Sequence, residues 1–203
     1  MSMVGNLTEL RECYSPPLER SLRKSLPALD DHMRRFIGLS PFVCLGTSGA
    51  DGADVTPRGD APGFVHVLDE RTLLIPDWPG NNRLDSLTNV VGNPSVGLLF
   101  FIPGVNETLR INGVAEVTLE PALLERWTVD GKHPRSALRV TVREAYLHCA
   151  KALMRSRLWS DDYRIARSEL PSYAQMLKDQ GATPQSVAEL QAAIDESYST
   201  RLY

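Results

Sequence analysis

Apolar residues along this chain switch between two spacings, and the switches mark out its elements. Residues 42–47 read as a first strand, and the turn at 48–52 leads into a second strand that ends at Arg58. A short apolar strand covers 73–75. Residues 96–102 are almost continuously apolar, which predicts a strand buried on both faces. In 107–118, Leu109, Ile111, Ala115 and Val117 fall on one side, while Arg110, Asn112 and Glu116 fall on the other. Gly113 is placed for a bulge there. Leu138, Val140 and Val142 then alternate with Arg139, Thr141 and Arg143 in a last strand. About six strands in mainly hairpin order predict an antiparallel β-barrel with flanking helices, an α+β fold.

Helical spacing occupies the remainder. Residues 7–39 read as helical pieces broken by Pro16, Pro17 and Pro27. Leu18, Leu22 and Leu26 repeat at i, i+4, and Asp30 is placed to cap a helix whose apolar face is Met33, Phe36 and Ile37. These pieces are expected to cover the barrel. A further helix is expected to start near Asn81, with Leu84, Leu87 and Val91 on one face and Gly92-Asn93-Pro94 as its stop. Residues 121–128 predict a short helix. In the tail, Gly181 can end one helix. Thr183 can cap the next, with Pro184 at its first position and Val187, Leu190 and Ile194 as its buried face. The whole, 1–203, reads as one domain: helical cover at 1–40, barrel at 42–148 and helical extension at 149–203.

Composition narrows the partners. The chain is 42% hydrophobic with a formal net charge of −3 and a pI near 5.8, so nothing in it points to nucleic acid or an anionic membrane. Cys13, Cys44 and Cys149 lack metal-ligand spacing, and a sparse, odd set suits a reducing cytoplasm. No apolar run reaches the length of a membrane span. The first six residues have neither the basic region nor the apolar core of a signal peptide.

Three stretches carry candidate chemistry. In the first, Arg58 stands between Pro57 and Gly59. Pro57 fixes its own φ and holds Thr56 extended, while Gly59 lets the backbone turn or lie against a ligand. A guanidinium held this way can grip a phosphate or carboxylate through two hydrogen bonds; a surface turn with a solvated arginine fits the same residues. The second stretch runs from Ile75, Pro76 and Asp77 into Asn81, Asn82 and Arg83. There the unpaired N–H groups of a helix start, beside polar side chains, make an anion site; a capped, solvated helix start is the plain alternative. The third spans 147–159. If helical, it stacks Lys151, Arg155 and Trp159 on one face with Ser156 adjoining. Two cations and an aromatic ring suit the edge of a flat phosphorylated ligand, and a mixed-charge surface helix fits as well. His148 and Cys149 are neighbours on that run and so point apart, which makes them poor partners for nucleophilic catalysis.

With Pro41-Phe42-Val43 before them and residues 93–104 after them, these stretches resemble the pyridoxamine 5′-phosphate oxidase-related FMN-binding proteins. The likeness is greatest to the bacterial branch with a Pro-Arg-Gly-Asp-x-Pro-Gly-Phe motif, here Pro57 to Phe64, and it covers roughly 26–159. The resemblance implies an antiparallel FMN-binding split barrel with FMN at a homodimer interface. It implies cofactor contacts from Val55, Thr56, Pro57, Arg58, Ile75, Pro76, Asp77, Asn81, Asn82 and Arg83. By the shared His-Cys-x-Lys-Ala and Arg-Ser-x-Leu-Trp pattern it adds Lys151, Ser156 and Trp159, reaching the flavin across the dimer. The vitamin B6 oxidases themselves carry an Arg-x-His element and a final Arg-Leu-x-Pro; this chain ends Arg201-Leu202-Tyr203 without either. An FMN-dependent oxidoreductase on another small molecule is therefore expected, with no catalytic residue assigned. The alternatives are a flavin store or redox sensor without turnover, or a relative holding deazaflavin or haem. For haem, His66, His133 and His148 are the available axial ligands.

Overall fold

The alternating stretches become seven strands of one antiparallel sheet, ordered β2-β1-β5-β6-β7-β4-β3. They are β1 (Phe42–Gly49), β2 (Gly52–Gly59), β3 (His66–Val67), β4 (Thr72–Asp77), β5 (Ser95–Phe101), β6 (Thr108–Thr118) and β7 (Ser136–His148). The computed structural model describes residues 3–203; residues 1 and 2, part of the stretch read as free of a signal peptide, lie outside them. β2 and β4 stand far apart in the strand order, yet Arg58 on β2 reaches Asp77 on β4 at 2.5 Å. The sheet must curl for that contact to exist. The result is the expected antiparallel split β-barrel with flanking helices, and the ion pair spans the split.

The core follows the period-2 pattern. Val43, Leu45, Val96, Leu98, Phe100, Leu109, Ile111, Leu138 and Val140 all point inward. The register between β6 and β7 slips at Asn112/Gly113. A Cβ on Gly113 would overlap the carbonyl oxygen of Thr141, so the close approach demands glycine. Two expectations about the sheet change. There are seven strands, because the two-residue β3 adds a pairing to β4 that is too short to show a period. And β5 is buried on one face only: Gly97, Leu99 and Phe101 remain partly open. The strand buried on both faces is β4, whose outer side is covered by Leu124 and Trp127.

The helices are α1 (Leu7–Glu12), α2 (Glu19–Arg23), α3 (Asp31–Leu39), α4 (Asp85–Gly92), α5 (Pro121–Leu124), α6 (Lys151–Ser156), α7 (Tyr173–Asp179) and α8 (Val187–Thr200). In α3 the Asp30 side chain accepts from Met33 N, and Met33, Phe36 and Ile37 are buried, as their spacing predicts. In contrast, α1 and α2 bury nothing, and Leu18 and Leu22 are exposed. Only α3 among the three covers the barrel. α4 begins at Asp85, later than expected, because Asn82 and Leu84 take left-handed conformations that no helix tolerates. Its buried residues are Ser86 and Val90, while Leu84 and Val91 are exposed. α5 is one short turn and stops before Thr128. β7 runs on to His148, and α6 ends at a left-handed Arg157. Trp159 therefore falls outside the helix, and its stack with Lys151 and Arg155 does not form. Ser186, not Thr183, caps α8, because Glu189 completes a capping box with it. Val187, Leu190 and Ile194 lie on its inner face only half-buried.

Candidate functional site

β2 pairs with β1 so that Asp54, Thr56 and Arg58 stand opposite Thr47, Leu45 and Val43. The β1 residues point into the barrel, so the three polar β2 residues do too. Asp54 and Thr56, with Thr47 opposite, find partners on α4, which packs over this part of the sheet. Thr56 Oγ1 and Ser86 Oγ are 3.0 Å apart, and Asn89 Nδ2 donates to Thr47 Oγ1 at 3.1 Å. Ser86 also donates a longer bond of 3.4 Å to Asp54. β2 is a sheet edge, where Pro57 removes no inter-strand bond that the fold needs.

At the end of β2, Arg58 Nη1 donates to Asp77 Oδ1 at 2.5 Å, with the side chains 23% and 16% exposed. Arg58 Nε is shielded from solvent and has no partner. A buried donor without an acceptor is costly, so this atom is a measurable defect that a ligand oxygen would remove. The pair lines a cavity of about 460 Å³ whose other walls come from residues 78–87, Arg135 and Ser136. Asn81 Oδ1 accepts from Arg83 N at 3.0 Å, which fixes the loop. Arg83 Nε donates to Asp85 Oδ2 at 2.8 Å, and that bond and charge hold Arg83 above the ordinary arginine range. No side chain caps the start of α4, so its first N–H groups remain free beside the cavity. Three arginines in the walls face two aspartates. The balance is positive and fits an anion, with two of the three guanidiniums already oriented by carboxylates.

The sequence-named residues divide between this cavity and the rest of the molecule. Thr56, Arg58, Asp77, Asn81, Asn82 and Arg83 line it together. Ile75 is buried in the core, and Pro76 pairs with Ala137 on β7. Val55 points to the other side of β2 and borders an apolar cavity of about 590 Å³, with Cys44, Leu99, Phe101, His148 and Cys149. Pro57 shares that outer direction. Lys151 is exposed at the start of α6. Ser156 Oγ donates to Leu153 O at 3.1 Å, and Trp159 Nε1 donates to Val105 O at 2.8 Å. Trp159 also borders an outer apolar hollow with Phe42, Cys44 and Phe101. Lys151, Ser156 and Trp159 therefore do not join Arg58 within one chain. His148 is held below the usual histidine value by burial and then by Lys24 and Arg110.

The wall residues that were not foreseen include Trp78, Ser86, Arg135 and Ser136. Ser86 carried a usable signal, a polar residue on what becomes the inward face of α4. Arg135 and Ser136 carried none, because only the β4–β7 pairing brings Ser136 opposite Asp77. Trp78 packs edge-on against Tyr203 at 4.9 Å, and the Tyr203 hydroxyl donates to Asp60 at 2.7 Å. Among the described residues no cluster of three or more His, Cys, Asp or Glu could hold a metal. No helix among them is long and apolar enough to cross a membrane.

A family model for pyridoxamine 5′-phosphate oxidase matches residues 29–149. No curated protein matches the chain. Among solved structures, HupZ of Group A Streptococcus is 17% identical with a TM-score of 0.48, over 59% of this chain and 93% of that one. General Stress Protein 26 from Bacillus anthracis is 15% identical with a TM-score of 0.41, over 57% and 93%. An FMN-binding protein from Syntrophomonas wolfei is 10% identical with a TM-score of 0.44, over 57% and 83%.

Proposed function

The chain belongs to the pyridoxamine 5′-phosphate oxidase family, and from that premise we propose that it is an FMN-binding oxidoreductase acting on a small molecule other than a B6 vitamer. The observation that carries this reading is the unmet Arg58 Nε beside a cavity of net positive charge. Arg58, Asn81, Asn82, Arg83 and the free N–H groups of α4 hold the phosphate. Asp77 keeps the Arg58 guanidinium in place, and Thr56 with Ser86 closes the wall behind it. Backbone at 55–57 and 75–77 runs along the ring. FMN, when bound, supplies the redox chemistry, and the protein supplies binding, orientation and exclusion of water. No side chain is assigned as acid or base.

Lys151, Ser156 and Trp159 enter this reading from a second copy of the chain in a homodimer. The open outer face of β1 and β5, with Cys44, Leu99 and Phe101, supports it. Uncovered apolar surface of this kind marks an association face. Three unbridged cysteines suit the cytoplasm. A haem reading gains no support: His66, His133 and His148 all lie away from the Arg58 cavity. His133 instead has its Nδ1 within 2.9 Å of Trp127 O.

The test is a visible spectrum of the purified protein with mass analysis of the released ligand. A flavin spectrum and the mass of FMN are expected. Charge-assisted hydrogen bonds contribute about 1.5–3 kcal/mol each, so Arg58→Ala should weaken FMN roughly ten- to a hundredfold. Folded Arg58→Ala protein that stays fully yellow after dialysis would overturn the phosphate assignment. A yellow protein whose flavin no reductant or substrate bleaches catalytically would make it a flavin carrier instead.

A further inference from the structure

A second arginine-walled hollow, of about 380 Å³, lies between α3, the turn before β3 and the segment after α5, away from the Arg58 cavity. Its walls carry Arg34, His66 and Arg126 and no carboxylate. Arg34 and Gly38 are one turn apart on α3 and so share a face. Gly63 has φ +83°, and a Cβ there would come within 3.3 Å of Gly38 O. Gly38 and Gly63 thus leave part of the wall as bare backbone, beside Val65 and Val67, with two cationic side chains in the same lining.

The guanidiniums are not committed elsewhere. Arg34 makes one long bond, Nη2 to Leu29 O at 3.5 Å. Arg126 has no side-chain hydrogen bond or ion pair among the described residues. His66 stacks on Trp127, with ring centroids 4.4 Å apart and planes at 10°, while Trp127 Nε1 is tied to Phe64 O at 2.8 Å. The imidazole is thus held flat and fixed. Its Nδ1 is shielded and has no acceptor to donate to, so the proton belongs on Nε2, the nitrogen left for the hollow. Burial, and after it the Arg126 charge, keeps the ring neutral at neutral pH. An Nε2–H donor and two uncommitted guanidiniums in one lining match the oxygens of a tetrahedral anion.

We propose that Arg34, His66 and Arg126 form a binding site for a phosphate group, separate from the Arg58 cavity. The phosphate is either inorganic or carried by a small monoester. Binding is of modest affinity, with Kd on the order of 1 mM, because both arginines face solvent.

The experiment is a histidine NMR titration of the full chain with inorganic phosphate at constant ionic strength and pH 7.5, with chloride as the control salt. The His66 ring signal, assigned from a His66→Gln variant, should move and saturate with phosphate but not with chloride. Arg34→Ala/Arg126→Ala should remove the saturable shift, and Arg126→Glu alone should weaken it at least tenfold. Both positions are exposed, so these variants should keep the wild-type fold, checked by near-UV circular dichroism. A second arm replaces phosphate by glycerol phosphate; tighter binding identifies a monoester as the preferred form, and equal binding identifies the free ion. A shift that is linear, that chloride reproduces, or that persists in the double variant overturns the proposal. None of these outcomes depends on whether the Arg58 cavity binds FMN.

Discussion

The Arg58 cavity, here the mouth, and the Arg34–His66–Arg126 hollow hold their arginines in opposite ways. At the mouth, Arg58 and Arg83 are each met by an aspartate, at 2.5 and 2.8 Å. In the hollow, Arg34 and Arg126 accompany His66 with no carboxylate among the lining residues. A carboxylate partner lowers the net charge that a ligand sees but removes the freedom of the guanidinium. The mouth is therefore preorganised for a ligand of defined shape, whereas the hollow offers loose charge and suits a small ion.

The largest effect expected is one that abolishes the comparison. The barrel that carries the mouth depends on the β6–β7 register, and Gly113 faces the Thr141 backbone where that register slips. Gly113→Ala should cost about 3 kcal/mol or more, since the clash is with backbone and cannot be relieved by a rotamer change. A urea melt measures it. A midpoint close to wild type would show that β7 can shift without harm.

Breaking the Arg58–Asp77 pair should come next. Removing one partner of a buried pair costs 3–5 kcal/mol. These side chains are about one-fifth exposed, so about 2–3 kcal/mol is expected from either Arg58→Ala or Asp77→Ala. The two variants should then part company. Phosphate-bearing ligand should restore much of the loss in Asp77→Ala, because it supplies the missing negative charge, and none in Arg58→Ala. Melts with and without added FMN separate them; equal rescue of both would mean that the mouth does not use Arg58 to hold the anion.

The sequence revealed this mouth better than it revealed the helix beside it. Pro57 and Gly59 announce a braced Arg58, and alternation in 107–118 and 138–143 predicts which side chains line the barrel. What was illegible depends on conformations with no local sign. Leu84 at φ 61° delays α4, and nothing about a leucine predicts that. Arg157 at φ 50° ends α6 and detaches Trp159 from the stripe. Leu18 and Leu22 obey a helical period, but the fold brings no surface to them. Ser186 competed with Thr183 as a cap, and the decisive residue, Glu189, was present three positions on. The apolar run at 96–102 gives no hint that only one of its sides is covered, because coverage is a property of the neighbours. Arg135 joins the cavity wall through tertiary packing alone.

Acid should distinguish the two cavities next. His66 and His148 both sit below the ordinary histidine value of 6.5, His66 by burial and Arg126, His148 by burial, Lys24 and Arg110. As pH falls through 6.5 the unfolded chain takes up protons that the folded chain resists. Stability is then fully present above about pH 6.5 and declines below it, until the folded histidines titrate. Asp69, Glu144 and Glu189 are held low by hydrogen bonds and contribute in the same sense only at more acid pH, from about 4.5 downward. No histidine lines the mouth. The slope between pH 7.5 and 5.5 should therefore flatten in His66→Gln and stay unchanged in Arg58→Ala. A slope that follows Arg58 instead would place the acid sensitivity at the mouth rather than at His66.

The smallest effect is the most pointed. Arg126 is exposed and has no ion-pair partner among the described residues. Its removal deletes no contact that the fold uses, so Arg126→Ala should change stability by less than about 0.5 kcal/mol in phosphate-free buffer. Any change should be slightly favourable at pH 6, because the positive charge that opposes His66 protonation is gone. Arg58→Ala under the same conditions should cost several times more. The contrast tests the central distinction directly: one guanidinium is part of the folded framework, and the other only waits beside it. If Arg126→Ala proves as damaging as Arg58→Ala, then Arg126 has a partner in the folded protein, and the hollow is as fully matched in charge as the mouth.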